Sequence, residues 1–386
     1  MNDTVTLGDI EAARERIAEF VRLTPTNVSD ALSSRVGVPV TLKLENLQRT
    51  GSFKVRGANN VLASLETPPA GVIAASAGNH AQAVALAASQ RAIPATVVMP
   101  QTAPAAKQQA CRGYGAQIEL VDGSLATAQA RARELAEERG LFYIPPYDAP
   151  AIVAGQGTLG LELLEQVPDL ETVIVPAGGG GLLAGVAVAV KSQRPNARVI
   201  GVQTSAMNGI VASLRAETPV AMLPRHTIAD GVAVAGPSEL TLELIREYVD
   251  DVVDVSEEVI ARAIVLLLEQ ARVVAEGAGA LGVAALLTGA VRPSGPTVVV
   301  VSGGNIDINV LERISGAIAR ARANIVHVEH DLSAPDLPVE IARLTVILEL
   351  PEAAAIELVR SAMLEDGFVE GTRTDFETPA AAHWPS

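Results

Sequence analysis

Thr172-Val173-Ile174-Val175-Pro176-Ala177-Gly178-Gly179-Gly180-Gly181-Leu182 runs from an uncharged β-branched stretch, through four consecutive glycines, into an Ala- and Val-rich segment that reaches Lys191. Thr172 to Val175 reads as a strand covered on both faces, since parallel strands in α/β sheets are near-continuous apolar runs. Leu182 to Lys191 reads as the helix that follows. A glycine inside regular structure costs about 0.5 to 1 kcal/mol relative to alanine, so four together forgo roughly 2 to 4 kcal/mol. Either the turn is simply tight, or a ligand approaches its bare backbone. A phosphate suits the second reading, because free N–H groups and the positive end of a helix converge there. The nucleotide phosphate-loop pattern fails, as no Gly-Lys-Ser/Thr follows. Gly179-x-Gly181-x-x-Ala184 matches the dinucleotide fingerprint loosely, but the next strand ends at Gln203, where that fingerprint wants an acid.

The same alternation extends in both directions. Upstream it gives strands at Val72 to Ala75, Ala95 to Met99 and Ile118 to Val121, with helices at Ala81 to Ser89, Ala105 to Gly113 and Leu125 to Arg139. Downstream it gives strands at Arg198 to Gln203 and Thr297 to Val301 and a helix at Glu257 to Gln270. The expected fold class is therefore α/β, with two parallel or mixed-sheet layers. An N-terminal helix, Asp9 to Leu23, is expected to stop before Thr24-Pro25. Beyond about Arg322 the pattern changes to a small α+β appendix: strands Asn324 to Glu329 and Leu344 to Leu350, a helix near Ala353 to Glu365, and a loose tail from Thr378.

Composition narrows the function. The 386 residues are 49% apolar and 19% charged, enough for a large core, and their 29 basic against 44 acidic side chains leave a net charge of −15. No basic run neutralises phosphates, so a nucleic-acid partner is not expected. One cysteine, Cys111, and no basic-then-apolar start point to a cytoplasmic protein. Thr172 to Val190 is uncharged, yet Pro176 and the glycines would leave backbone groups unpaired in lipid, so no membrane span is expected.

Ligands of open α/β sheets bind beyond the carboxyl ends of strands. Two further strand ends carry polar turns: Ser76-Ala77-Gly78-Asn79-His80, where Ser76 has helix-capping chemistry, and Ser302-Gly303-Gly304-Asn305. A carboxylate would sit on the first turn's amides, and a hydroxyl at Ser302 can meet a ring nitrogen. Lys54 lies in Ser52-Phe53-Lys54-Val55-Arg56-Gly57-Ala58. Lysines mostly sit solvated on surfaces, but one lysine, one phosphate cradle and one ring-nitrogen partner are together what pyridoxal phosphate requires.

These motifs, with Ala154-Gly155-Gln156-Gly157-Thr158, Glu276-Gly277-Ala278-Gly279-Ala280 and Ser302 to Asp307, resemble in order the fold type II pyridoxal-phosphate enzymes, and within them the threonine dehydratase (threonine ammonia-lyase) family, from about Asp9 to about Ile314. The resemblance implies a large cofactor-binding domain of residues 1–49 and 146–316, an inserted small α/β domain of residues 50–145 that closes on substrate, and a partial ACT-like segment at 317–386 lacking its opening strand and effector loop. It implies that Lys54 carries the cofactor covalently and moves the Cα proton. Phe53 would lie against the ring, Asn79 bond its phenolic oxygen, Gly178, Gly179, Gly180, Gly181 and Leu182 hold the phosphate, Ser302 meet the ring nitrogen, and Glu276 complete the cofactor site. The substrate carboxylate would dock on Ser76, Ala77, Gly78, Asn79 and His80, with Ser76 counted among the catalytic residues. A serine at position 302 does not enforce a ring-nitrogen proton, which favours prompt loss of a β-substituent. The implied reaction takes L-threonine to 2-oxobutanoate and ammonia, and L-serine to pyruvate and ammonia, with a small amino acid as the partner and a homodimer or homotetramer as the assembly. Racemases of the family carry serine where this chain has Ala77, which cannot move a proton. A 3-hydroxyaspartate enzyme would need an added cation. A nicotinamide oxidoreductase is the reading outside the family. No metal is expected, since Gln203 and the region near Gly209 lack hard anionic ligands, and His327 and His330 would point to opposite faces of a strand.

Overall fold

A computed structural model of the chain describes residues 4–306, 324–331 and 343–349. The chain divides into two compact units, 1–306 and 307–386. Along the first unit run α1 (Leu7–Ile17), β1 (Thr26–Val28), α2 (Asp30–Val36), β2 (Val40–Leu44), α3 (Lys54–Ala63), β3 (Val72–Ala75), α4 (Asn79–Ser89), β4 (Ala95–Pro100), α5 (Ala105–Gly113), β5 (Gln117–Val121), α6 (Leu125–Arg139) and β6 (Phe142–Tyr143). There follow α7 (Pro150–Gln166), β7 (Thr172–Pro176), α8 (Gly181–Gln193), β8 (Arg198–Thr204), α9 (Gly209–Ala216), α10 (Glu239–Tyr248), β9 (Asp251–Val255), α11 (Glu257–Glu269), α12 (Gly277–Thr288) and β10 (Thr297–Val301). In the second unit β11 (Asn324–Asp331) pairs antiparallel with β12 (Arg343–Glu349).

Two sheets organise the first unit. The larger has the order β1-β2-β10-β7-β8-β9 and the smaller β5-β4-β3-β6. Only β1 runs antiparallel to its neighbour; the other pairings of both sheets are parallel. Every strand of the smaller sheet lies between β2 and β7 in sequence, so that sheet is an insertion into the larger one. The fully buried apolar strands Val72–Ala75, Thr172–Pro176 and Thr297–Val301 form the sheet centres.

Glycines let three helices touch along their backbones. A Cβ on Gly155 would lie 2.7 Å from the Cα of Gly57, and one on Gly185 would strike the Val153 carbonyl. This close contact of α3, α7 and α8 gives the Gly155-Gln156-Gly157 stretch its physical reason.

Most of the expected elements match within a residue or two. The N-terminal helix does not: α1 ends at Ile17, well before Leu23. Ile10, Ala13 and Ile17 are buried, the first two in the core of the larger sheet, whereas Phe20 stacks under Arg91 at 4.0 Å and Val21 packs against the core of the smaller sheet, so one straight helix cannot serve both. The hairpin of the second unit matches the two expected strands, and register places His327 opposite Ile347 and His330 opposite Leu344. The helix expected near Ala353 to Glu365, and the tail, lie outside the described residues.

Candidate active site

Lys54 is placed by the end of β10. The Phe53 N–H donates to the Ser302 carbonyl at 3.1 Å, Ser52 forms a β-bridge with Gly303, and the Gly304 N–H donates to the Gly51 carbonyl at 2.9 Å. Residues 51–53 are thus stitched to the carboxyl edge of the larger sheet, and Lys54 opens α3 at that edge.

Behind it sits a saturated ionic cluster. The buried Arg56 guanidinium forks onto Glu45 (2.8 and 2.8 Å) and onto Glu162 (2.7 and 2.9 Å), and its remaining N–H reaches the Thr158 hydroxyl at 3.1 Å. Lys43 Nζ donates to Glu162, Gln166 and the Thr24 carbonyl. Two cations face two carboxylates, so the cluster carries no net charge, and all five guanidinium donors and all three ammonium donors are used.

The Lys54 side chain enters a cavity lined also by Phe53, Asn79, Gly178, Gly179, Gly180, Gly181, Leu182, Glu276 and Ser302. Its Nζ donates to the Pro146 carbonyl at 2.8 Å and lies 5.2 Å from the centre of the Phe53 ring. Burial pushes the amine down to about 8, against the opposing pull of Asp148 and Glu276. The Glu276 carboxyl is pushed up to about 7 by burial and by Asp230, although Asn79, Lys107 and the Asn305 backbone N–H draw it the other way.

The four glycines form a true cradle. Gly180 has φ +95, a left-handed conformation, and is the N-cap of α8 with no side-chain capping bond. A Cβ on Gly179 would strike the Tyr147 ring, and one on Gly178 would lie 3.1 Å from the Val232 Cα. Bare amides at an uncapped helix start, beside the half-buried Lys54 amine and the Ser302 hydroxyl, suit a phosphorylated aldehyde with a ring nitrogen, so the residues present fit pyridoxal phosphate.

Of the other expected residues, Ser76, Ala77, Gly78 and His80 are not among those lining the cavity. Ser76 does not cap α4: its hydroxyl accepts from the Gly78 N–H at 3.1 Å, and Gly78 is the N-cap. The strand end needs that local turn before the helix can begin. His80 turns inward, its Nε2 donating to the Ile144 carbonyl at 2.9 Å, and burial together with the nearby Lys54 charge pushes it down to about 3. It is a neutral interior group.

Tyr147, Pro146, Val232 and Asn305 were not singled out from sequence as site residues. Tyr147 follows β6, a strand too short to register as a pattern. At the rim, Lys107 of α5 meets Asp230 at 2.5 Å, next to the cavity-lining Gly231 and Val232. Gln203 spends its amide on the Ile210 and Val211 N–H groups and the Ala177 carbonyl. Among the described residues no group of three or more His, Cys, Asp or Glu side chains is arranged to hold a metal ion, and no helix is long and apolar enough to cross a membrane.

A glycine cradle, a half-buried lysine and a strand-end serine on a doubly layered α/β frame define a cofactor-dependent enzyme. The chain belongs to the family of pyridoxal-phosphate dependent enzymes, whose model matches residues 17–303. It is 43% identical to the L-threonine ammonia-lyase of Thermotoga maritima, over 94% of this chain and 98% of that one. It is 44% identical to the catabolic L-threonine dehydratase of Escherichia coli, over 81% of this chain and 97% of that one. Among solved structures it resembles maize serine racemase (TM-score 0.78, 36% identity, 83% and 99% of the chains covered) and the processed form of threonine deaminase isoform 2 from Solanum lycopersicum (0.76, 37%, 80% and 86%).

Proposed function

We propose that this enzyme eliminates water from L-threonine, yielding 2-oxobutanoate and ammonia, and turns L-serine into pyruvate and ammonia by the same route. The observation that carries the reading is the meeting of the Lys54 amine, the Gly178 to Gly181 cradle and the Ser302 hydroxyl in one cavity; the likeness to threonine ammonia-lyases supports the substrate. Bound pyridoxal phosphate supplies an electron sink that acidifies the Cα–H bond of an amino acid.

The chain's own groups do the rest. Lys54 would hold the cofactor covalently and, once displaced, its amine, already drawn toward the neutral form, would take the Cα proton, while the β-hydroxyl would leave as water on a proton from an acid such as the cofactor's phosphate. Gly178, Gly179, Gly180, Gly181 and Leu182 hold the phosphate, Phe53 backs the ring, Asn79 bonds the phenolic oxygen, and the uncharged Ser302 accompanies the ring nitrogen. Glu276 completes the cofactor site. The turn from Ser76 through Ala77, Gly78 and Asn79 to His80 receives the substrate carboxylate, mainly through backbone amides, since the His80 ring is engaged elsewhere. Ala77 offers no proton-transfer group for the opposite face of the substrate, so racemisation is negligible.

In this reading residues 50–145 form the lobe that closes over the site, residues 1–49 and 146–316 the cofactor lobe, and 317–386 a partial ACT-like segment. A homodimer or homotetramer is part of it, supported by the exposed Val28 on the sheet edge and by exposed Leu47 and Val274. A cytoplasmic setting agrees with the buried free thiol of Cys111. The test is borohydride reduction of the holoenzyme with peptide mapping, alongside ammonia release from L-threonine and L-serine. A pyridoxyl group on Lys54 and 2-oxo acid formation are expected; an adduct on another lysine, or nicotinamide reduction in place of ammonia, would overturn the reading.

A further inference from the structure

Asn79, Asn305 and Glu276 come from three separate elements and meet beside the cavity. Asn305 Nδ2 donates both to the Thr50 carbonyl (2.8 Å) and to Asn79 Oδ1 (2.7 Å), and Asn79 Nδ2 donates to Glu276 Oε1 (2.6 Å). Which end of an asparagine amide is nitrogen is settled by its partners. Here one partner decides everything, because a backbone carbonyl can only accept. The Thr50 carbonyl therefore fixes the Asn305 amide, and a donating Asn305 leaves Asn79 only its oxygen to offer on that side. The Asn79 nitrogen is then forced toward Glu276 and the cavity. The Asn305 backbone N–H also draws on the Glu276 carboxyl at the far end of the chain, favouring its charged form.

We propose that Asn305 is a positioning residue that locks Asn79 as a hydrogen-bond donor toward the cofactor's ring oxygen. One Asn79 N–H is engaged by Glu276, and the second is left for an oxygen in the cavity that Asn79 lines. Without Asn305 the Asn79 amide is oriented by Glu276 alone and its oxygen loses the donor that holds it outward; turned inward, that oxygen would oppose a phenolate. The inference rests on the reading that pyridoxal phosphate occupies this cavity.

The experiment is a double-mutant cycle of Asn305→Ala and Asn79→Ala on the full chain. Its readouts are the apoprotein's affinity for pyridoxal phosphate by absorbance titration and the ratio of visible to near-ultraviolet cofactor bands. A hydrogen bond to a charged acceptor corresponds to about tenfold in affinity, so Asn305→Ala is expected to weaken binding by about that factor and to lower the band ratio. In the Asn79→Ala background the same substitution is expected to change neither readout, since its partner is already gone. Wild-type behaviour of Asn305→Ala, or an undiminished effect in the Asn79→Ala background, would overturn the proposal. Should Asn305→Ala fail to fold, Asn305→Leu, which is close in size, has no side-chain donor and adds no charge, gives the same cycle. Wild-type protein that takes up no cofactor on Lys54 would instead sink the underlying functional reading.

Discussion

Lys54 and Glu276 are opposite in charge sign, yet burial presses both toward their neutral forms within one cavity. For Glu276 the consequence can be measured. Its folded pKa of about 7 lies above the usual 4.5, so the folded chain holds a proton that the unfolded chain releases between those values. The stability this group contributes is full below the unfolded value and is lost as pH rises through about 7. Glu276→Gln is therefore expected to raise the apoprotein's melting midpoint relative to wild type above neutrality and to lose that advantage in mild acid, as thermal scans across the range would register. Lys54→Ala is expected to abolish turnover and the borohydride-trapped adduct while leaving the far-ultraviolet circular dichroism unchanged. Lys54, Asn79, Glu276 and Ser302 were legible in the sequence because each sits in a short motif at a strand or helix end. The polarity of the amide chain through Asn305 was not, because it depends on a contact between residues 226 positions apart.

Helix α8 shows how a turn and a helix share one task. Its first residue, Gly181, and the left-handed Gly180 present unshielded amides, while the Tyr147 ring occupies the space a side chain on Gly179 would need. Gly179→Ala must displace that ring, and a cofactor affinity reduced by about tenfold or more is expected in apoprotein titrations, corresponding to at least about 1.4 kcal/mol. Elsewhere the charged cluster joins α3 to α7 and to the segment after β2. Arg56→Met would leave Glu45 and Glu162 buried with Lys43 as their one remaining cation, a loss of about 3 to 5 kcal/mol for a broken buried pair, checked by denaturant unfolding. Many elements with apolar runs or helical spacing were readable from the residues, but the glycine-rich helices α7 and α12 were not, since their glycines read as loop motifs although helix backbones pack closely there. β9 was not, since Asp251 and Asp254 interrupt it and most of it is only partly buried, as befits an edge strand. β1 and β6, of three and two residues, are too short for any periodicity to emerge.

At the scale of the molecule, the two sheets approach each other around the cavity, and the Lys107–Asp230 pair crosses between them. Asp230 is about half exposed, so the pair is expected to be worth no more than about 1 kcal/mol and to weaken with salt. Asp230→Asn is accordingly expected to raise KM for threonine a few-fold at low ionic strength, a difference that added salt erases in steady-state assays. The α/β class and the presence of two layers followed from alternating apolar runs. The place of β10 did not, because strand order depends on how distant segments pair. That order governs how the protein is born. β2 is seated against β10, which closes at residue 301, so the first strands wait beside the ribosome, without a neighbour on that side, until nearly the whole first unit has been translated. The inserted sheet, complete by Tyr143, can assemble long before then. Arrested nascent chains released at about residue 160 should already protect the amides of β3 and β4 from exchange while leaving those of β2 open, giving the enzyme a folding order that runs from its middle outward.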